Sequence, residues 1–265
     1  MKKLSKLYLG IVFFFLYAPI FVLIVFSFNQ SKSRSVWTGF TLDWYVKLFH
    51  NEVILNSLWT TLSIALIAGV VSTILGTAAA VGISSMRRGP RRLVINTTYL
   101  PIMNPEILTG VSLMLLFSFL AIPRGYLTLV IAHITFCVPY VILSVLPKLR
   151  QMDRFVYEAA LDLGCSPRKA FFKAVVPQIM PGIMTGFLMA LTYSIDDFVI
   201  SYFVSGSSAQ TLPITIYSMT RRRVSPEINA LSTILFLAVL TVLLLINVKD
   251  AKIWKERRKK EAARL

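Results

Sequence analysis

Charged side chains are missing from seven stretches of this chain: residues 7–31, 53–86, 107–123, 125–147, 174–195, 198–220 and 228–248 hold no Asp, Glu, Lys or Arg. A helix needs roughly 20 mostly apolar residues to cross about 30 Å of hydrocarbon. Trimmed by hydrophobicity, the windows predict six spans, at 7–28, 58–84, 93–120, 126–147, 178–203 and 229–248. The third span joins two windows across Glu106, and the fifth joins two across Asp196 and Asp197. Apolar segments of this length satisfy their backbone polar groups in lipid as helices, not as barrel strands. The pattern predicts an all-α membrane protein.

Composition agrees. Apolar residues make up 56% of the 265 positions, charged residues 15%, and the mean hydropathy is +0.70. A soluble domain carries about 25% charged residues, so an ordinary globular enzyme and a disordered chain are both excluded. The formal charge of +16 raises the question of nucleic acid, and the placement of the charges answers it. Of the 28 Lys and Arg, 21 fall at the N-terminus, in the 85–92 loop, between the fourth and fifth spans, or after residue 248; seven fall in the other connections. By the positive-inside rule, both termini are cytoplasmic and no nucleic-acid partner is needed. The first span is too long for a signal peptide and is followed by no A-x-A site. The expected organisation is a first helix with its external connection (1–57), a core of five spans (58–248) containing a cytoplasmic loop (148–177), and a basic tail (249–265) near membrane lipid. Cys137 and Cys165 imply no disulfide framework.

The cytoplasmic loop is too regular for a simple turn. Asp153 is placed to cap a helix starting at Arg154, and Gly164 to end it in the left-handed conformation. Phe155, Val156, Ala159, Ala160 and Leu163 form an apolar face, and Arg154, Glu158 and Asp162 line another side, where Arg154 and Glu158 can pair. Ser166 and Pro167 supply the cap and first position of a second helix running toward Pro177, where the fifth span is expected to begin. The result is a hairpin that either lies on the headgroups or, given the small Ala159 and Ala160, docks into a protein groove.

Glu158-Ala159-Ala160, Gly164 and Val176-Pro177 resemble the EAA motif of ABC importer permeases. The likeness extends through FTLDWYVKLF (40–49), LPIMNPEILTG (100–110), HITFCVPYV (133–141), SIDDFVISYFVSG (194–206) and SPEINAL (225–231), which resemble the PotC-type permeases of polyamine importers. The run Arg221-Arg222-Arg223 and Glu106 in place of Asp are departures from that pattern. The resemblance implies the six-helix type I ABC importer permease fold in a bacterial inner membrane. It also implies a second, different permease, two ATPase subunits and an external polyamine-binding protein as partners. Glu158, Ala159, Ala160 and Gly164 would then couple to the ATPase, and Trp44, Glu106, Ser194, Asp196 and Asp197 would belong to the substrate path.

The residues themselves support that path. Acids inside spans are costly and mark function by default. Asp196 and Asp197 lie in the outer part of the fifth span and, about 100° apart on a helix, do not face one spot: one faces the path, the other a neighbouring helix or backbone group. Glu106 follows Pro101 and Pro105, which bend or break the third span. Carboxylates at two points suit a flexible solute with an amine at each end, and aromatic faces hold ammonium groups. Trp44 is the leading aromatic candidate or else an interfacial belt residue, with Tyr45 and Tyr193 behind it. His133 reads as a helix-packing hydrogen bond, and Gly69, Gly76 and Gly82 as a close-packing face.

No G-x-x-x-x-G-K-[ST] phosphate loop, His/Cys metal cluster or G-x-S-x-G elbow occurs. The expectation is a transport subunit that binds no cofactor or metal itself, with ATP held by the partner. The alternatives are a permease for another cationic solute and an ion-coupled secondary transporter.

Overall fold

Among the described residues, most of the charge-free sequence is helical. The computed structural model describes residues 2–31, 36–153, 155–222, 226–238, 240 and 241. Its helices are α1 (Lys2–Ser27), α2 (Asp43–His50), α3 (Glu52–Ser85), α4 (Arg88–Met103), α5 (Glu106–Phe119), α6 (Tyr126–Gln151), α7 (Phe155–Asp162), α8 (Pro167–Asp196), α9 (Val199–Val204), α10 (Leu212–Arg222) and α11 (Pro226–Ala238). Extended pairing among the described residues is limited to a single bridge between Asn29 and Phe40.

Four helices (α1, α3, α6 and α8) are long and apolar enough to cross a membrane, or five when α4 and α5 count as one broken span. The expected third span is not straight: its halves meet at 101°. The expected fifth span starts earlier, at Pro167, because the second hairpin helix runs straight into it. A π turn at Phe171–Val175 absorbs the passage, so Pro177 falls in the first turn of the next α segment, where its missing N–H costs little. The same span stops at Asp196 instead of continuing to residue 203. Of the expected sixth span, α11 covers the beginning; residues 239 and 242–248 and the basic tail lie outside the described residues.

The chain forms two compact units, Met1–Glu52 with Ser218–Leu265, and Val53–Tyr217. In the first, α1 buries none of its apolar length within the chain, as suits a helix facing lipid or another subunit. The segment after it folds back: Gln30 N–H binds the Gly39 carbonyl, Thr41 N–H binds the Phe28 carbonyl, and Phe28 stacks on Phe40 at 5.4 Å.

The second unit is organised around α6. Its Cys137, Val141, Ile142, Val145 and Leu146 pack with Ala80 and Ile83 of α3 and Val175, Ile179 and Ala190 of α8. Without an apolar driving force between helices in lipid, close contact relies on small residues. A Cβ on Gly76 would lie 2.6 Å from Val141 Cβ, and one on Gly186 3.1 Å from Val141 Cα, so Val141 seats between two glycines on different helices. Gly69 touches Phe187, but Gly82 has open space beside it and takes no part in this packing.

Gly76→Val should therefore lower the melting temperature of the detergent-solubilised chain by an amount equivalent to about 1–3 kcal/mol, as overpacking does. Gly82→Val should leave it near the original value.

Candidate functional site

Two interrupted helices build the site. A Pro disfavours the helical region for the residue before it. Asn104 before Pro105 is extended (φ −75°, ψ 144°), and the chain restarts as α5 with Glu106 in its first turn, where the helix dipole favours a carboxylate. The second break is made by a carboxylate rather than a proline. Asp197 is extended (φ −65°, ψ 119°), ends α8 and starts α9. Its Oδ1 accepts the Ile200 N–H at 3.2 Å; its Oδ2 accepts the Ser201 N–H and hydroxyl, both at 2.7 Å. These bonds satisfy amides at the start of α9 that would otherwise be orphaned. Gly110 of α5 lets α9 come close, for a Cβ there would meet Phe203 at 2.9 Å and the Ile200 backbone at 3.3 Å.

Between the two breaks lies a cavity of about 230 Å³. Glu106, Asp196 and Asp197 line it together with Phe136, Tyr140, Tyr193 and Phe198. Tyr140 and Tyr193 lie with ring centroids 4.4 Å apart. Among the described residues, no basic side chain lines the cavity. Three carboxylates among aromatic faces can hold ammonium groups by charge-assisted hydrogen bonds and cation–π attraction.

The two adjacent acids take different positions. Asp196 is exposed within the chain, whereas Asp197 is 9% exposed and already accepts three hydrogen bonds. Behind Asp197 runs a buried polar chain. His133 Nε2 lies 2.9 Å from Ser201 Oγ and Nδ1 2.6 Å from Ser194 Oγ. Since the Ser201 hydroxyl donates to Asp197, Nε2–H donates to Ser201 and Nδ1 accepts from Ser194. His133 Nε2 and Asp197 Oδ2 are 3.7 Å apart, bridged by that hydroxyl. His133 thus ties α6 to both α8 and α9, the packing role its sequence context suggested.

Of the expected path residues, Glu106, Asp196 and Asp197 meet at the cavity. Ser194 stands behind it, 2% exposed, on His133. Trp44 belongs to the other compact unit. Its indole N–H donates to the Asn29 carbonyl at 2.7 Å, and Lys47 Nζ sits 4.7 Å over its ring. Trp44 therefore anchors the segment that returns from α1, and its π face already carries a cation. Tyr193, the weaker aromatic candidate, lines the cavity. Phe136, Tyr140 and Phe198 went unnoticed in the sequence. The detectable signal was that Phe136 and Tyr140 are four apart on α6, on the side carrying His133.

The hairpin carries the second group of expected functional residues. Asp153 Oδ1 accepts the Phe155 N–H at 3.0 Å, and α7 follows. Cys165 N–H binds the Ala160 carbonyl at 3.1 Å and Gly164 N–H the Leu161 carbonyl at 2.8 Å, with Gly164 at φ +81°. This is a Schellman stop, as expected. Ser166 occupies the next cap position, but its hydroxyl makes no capping bond. The apolar face is split, because the side of α7 that packs is centred on Tyr157 and Ala160 and takes in only one edge of the apolar arc. Val156 and Ala160 turn half-buried, beside Tyr157, which packs on the α6 core, while Phe155, Ala159 and Leu163 are exposed. Leu163 is 85% exposed, and Glu158 shares the exposed side. Arg154 lies outside the described residues.

Residues 72–250 match the family model for the binding-protein-dependent transport system inner membrane component. The chain is 43% identical over 235 residues to the putrescine transport system permease protein PotI of Escherichia coli K12, covering 86% of this chain and 83% of that one. It is 35% identical over 242 residues to the spermidine/putrescine transport system permease protein PotC of Haemophilus influenzae, covering 91% and 94%. A solved bacterial ABC transporter involved in import of the acidic polysaccharide alginate has a chain that superposes with a TM-score of 0.70 at 18% identity, covering 91% of this chain and 92% of that one. That likeness extends to the fold alone.

Ser201→Ala would leave His133 Nε2 and Asp197 Oδ2 short of a partner. It should destabilise the detergent-solubilised chain by about 1–3 kcal/mol in thermal unfolding, with Ser201→Thr restoring most of the loss.

Proposed function

The chain belongs to the family of binding-protein-dependent transport system inner membrane components, the permeases of ABC importers, and on that premise we propose that it conducts polyamines such as putrescine and spermidine across the bacterial inner membrane. The observation that carries the substrate class is the cavity: three carboxylates and four aromatic rings, with no basic side chain among its described lining residues. The names of the relatives point the same way.

Asp196 and Glu106 receive the amines, with Tyr140, Tyr193 and Phe198 facing the methylene chain and the ammonium ends. Asp197 sets the second break and lends field more than contact, since three bonds already occupy its oxygens. Such a site is selective by charge and tolerant of chain flexibility.

Transport is driven from outside this subunit. A second, different permease completes the pathway, an external binding protein delivers the solute, and two ATPase subunits hold and hydrolyse ATP. α7 presents Glu158, Phe155, Ala159 and Leu163 to a cleft of one ATPase. Its partly buried side packs through Tyr157 on the core cluster and against the start of α8, and the hairpin's second helix continues into the span as one helix. Closure of the ATPases displaces α7, and α8 carries the motion to the break at Asp197. The cavity is thereby exposed to the outer side and, after hydrolysis, to the inner.

Asp196→Asn in the assembled importer should raise the KM for putrescine uptake about 10-fold or more, the loss expected for a charged hydrogen bond, while the assembly and its ATPase remain. Unchanged uptake would remove Asp196 from the path. Glu158→Lys and Gly164→Asp should separate ATP hydrolysis from uptake in reconstituted vesicles. The first reverses a charge on the docking side. The second forces a side-chain-bearing residue into the left-handed region, with open space beside it, so the backbone alone is perturbed. Normal coupling in both would remove α7 from the drive train.

A further inference from the structure

Away from the cavity, Arg88, Arg91 and Arg92 from the first turns of α4 converge with Arg150 from the last turn of α6 around a cleft of about 210 Å³, floored by Ile95 and Asn96. None of the four guanidiniums pairs with a carboxylate among the described residues. Like charges gathered from two elements repel, so an arrangement of this kind is stable when an anion sits among them. We propose that this cleft binds the phosphate of an anionic phospholipid headgroup.

Three features choose that occupant. The positive-inside preference is satisfied by Lys and Arg alike, yet the basic residues of the 85–92 loop are all Arg, whose planar fork grips phosphate oxygens in pairs. The cleft sits at the ends of two helices, where α6 terminates at Gln151 and α4 begins at Arg88, and basic residues at such ends are those that meet headgroups on the cytoplasmic side. Beyond the arginines, Leu93 is exposed, Leu100 follows two turns later on the same side, and Thr97 between them returns its hydroxyl to the Leu93 carbonyl, so this side of α4 offers methyl groups to acyl chains. A free anion would use the guanidiniums but not those methyl groups. The inference does not depend on the solute carried.

The full chain in detergent, titrated with phosphatidylglycerol, phosphatidylcholine or inorganic phosphate and read by native mass spectrometry, tests this. Phosphatidylglycerol should bind in preference to phosphatidylcholine. The triple variant Arg91→Gln, Arg92→Gln, Arg150→Gln should weaken it about fivefold per Arg removed. Arg168→Gln, Lys169→Gln, Lys173→Gln removes the same charge from the hairpin and should change it by less than about twofold. The triple Arg→Lys variant at 91, 92 and 150 should fall between; wild-type affinity there would overturn the proposal, and it decides the matter if the Gln triple does not fold. Equal binding of the two lipids, equal losses in the two Gln triples, or saturation by inorganic phosphate without lipid preference would each overturn it. So would loss of ATPase-subunit association with lipid binding unchanged, which would make the cleft a protein contact.

Discussion

A helix interrupted within hydrocarbon must find new partners for the amides and carbonyls it frees, because the solvent offers none. The second unit meets this constraint twice, and its chemistry follows from how it does so. At Asn104-Pro105 the missing proline N–H removes one donor, and the extended backbone restarts as α5 with a carboxylate at its positive end. At Asp197 a side chain takes the place of the lost carbonyls and accepts two backbone N–H groups and a hydroxyl. An acid is thus needed at a break for reasons of backbone satisfaction. The same acid makes the enclosed space negative.

That double duty explains why adjacent aspartates are not redundant. The carboxylate engaged by the amides of α9 is held in place, and the helix end it creates leaves Asp196, the last residue of α8, exposed at the cavity. His133 and the serines on either side of it fix the geometry from behind by joining three helices. Gly186 brings α8 close enough to α6 for those short side chains to reach one another, while Gly76 and Gly110 seat α3 on α6 and α5 on α9. Packing and polar chemistry are therefore one design: a larger residue at Gly186 would separate the helices and strand the hydroxyls.

The route from the hairpin to the cavity is a single covalent element. α8 begins with the hairpin's second helix, passes a π turn and ends at the acid pair. A π turn carries one residue more per turn than its surroundings and marks a place where register can change. In the proposed cycle, displacement of α7 would reach the cavity through this one helix, whose π turn lies near its hairpin end.

Much of this was legible in the residues. Charge-free windows gave the membrane class and the long helices. Asp153 and Gly164 gave the limits of α7, because capping and left-handed geometry depend on local covalent structure. The two prolines before Glu106 announced the first break. What the chain order did not show was the second break at Asp197, since an Asp is compatible with a continuing helix until its oxygens meet the amides of α9. Nor did it show that Phe136, Tyr140 and Phe198 join the acids, or that Trp44 spends its π face on Lys47. Linear pattern determines which segments leave water and where helices must start or stop, through transfer energy and local sterics. Which side chains share one cavity depends on contacts between residues far apart along the chain, and only the packing of α5, α6, α8 and α9 decided that.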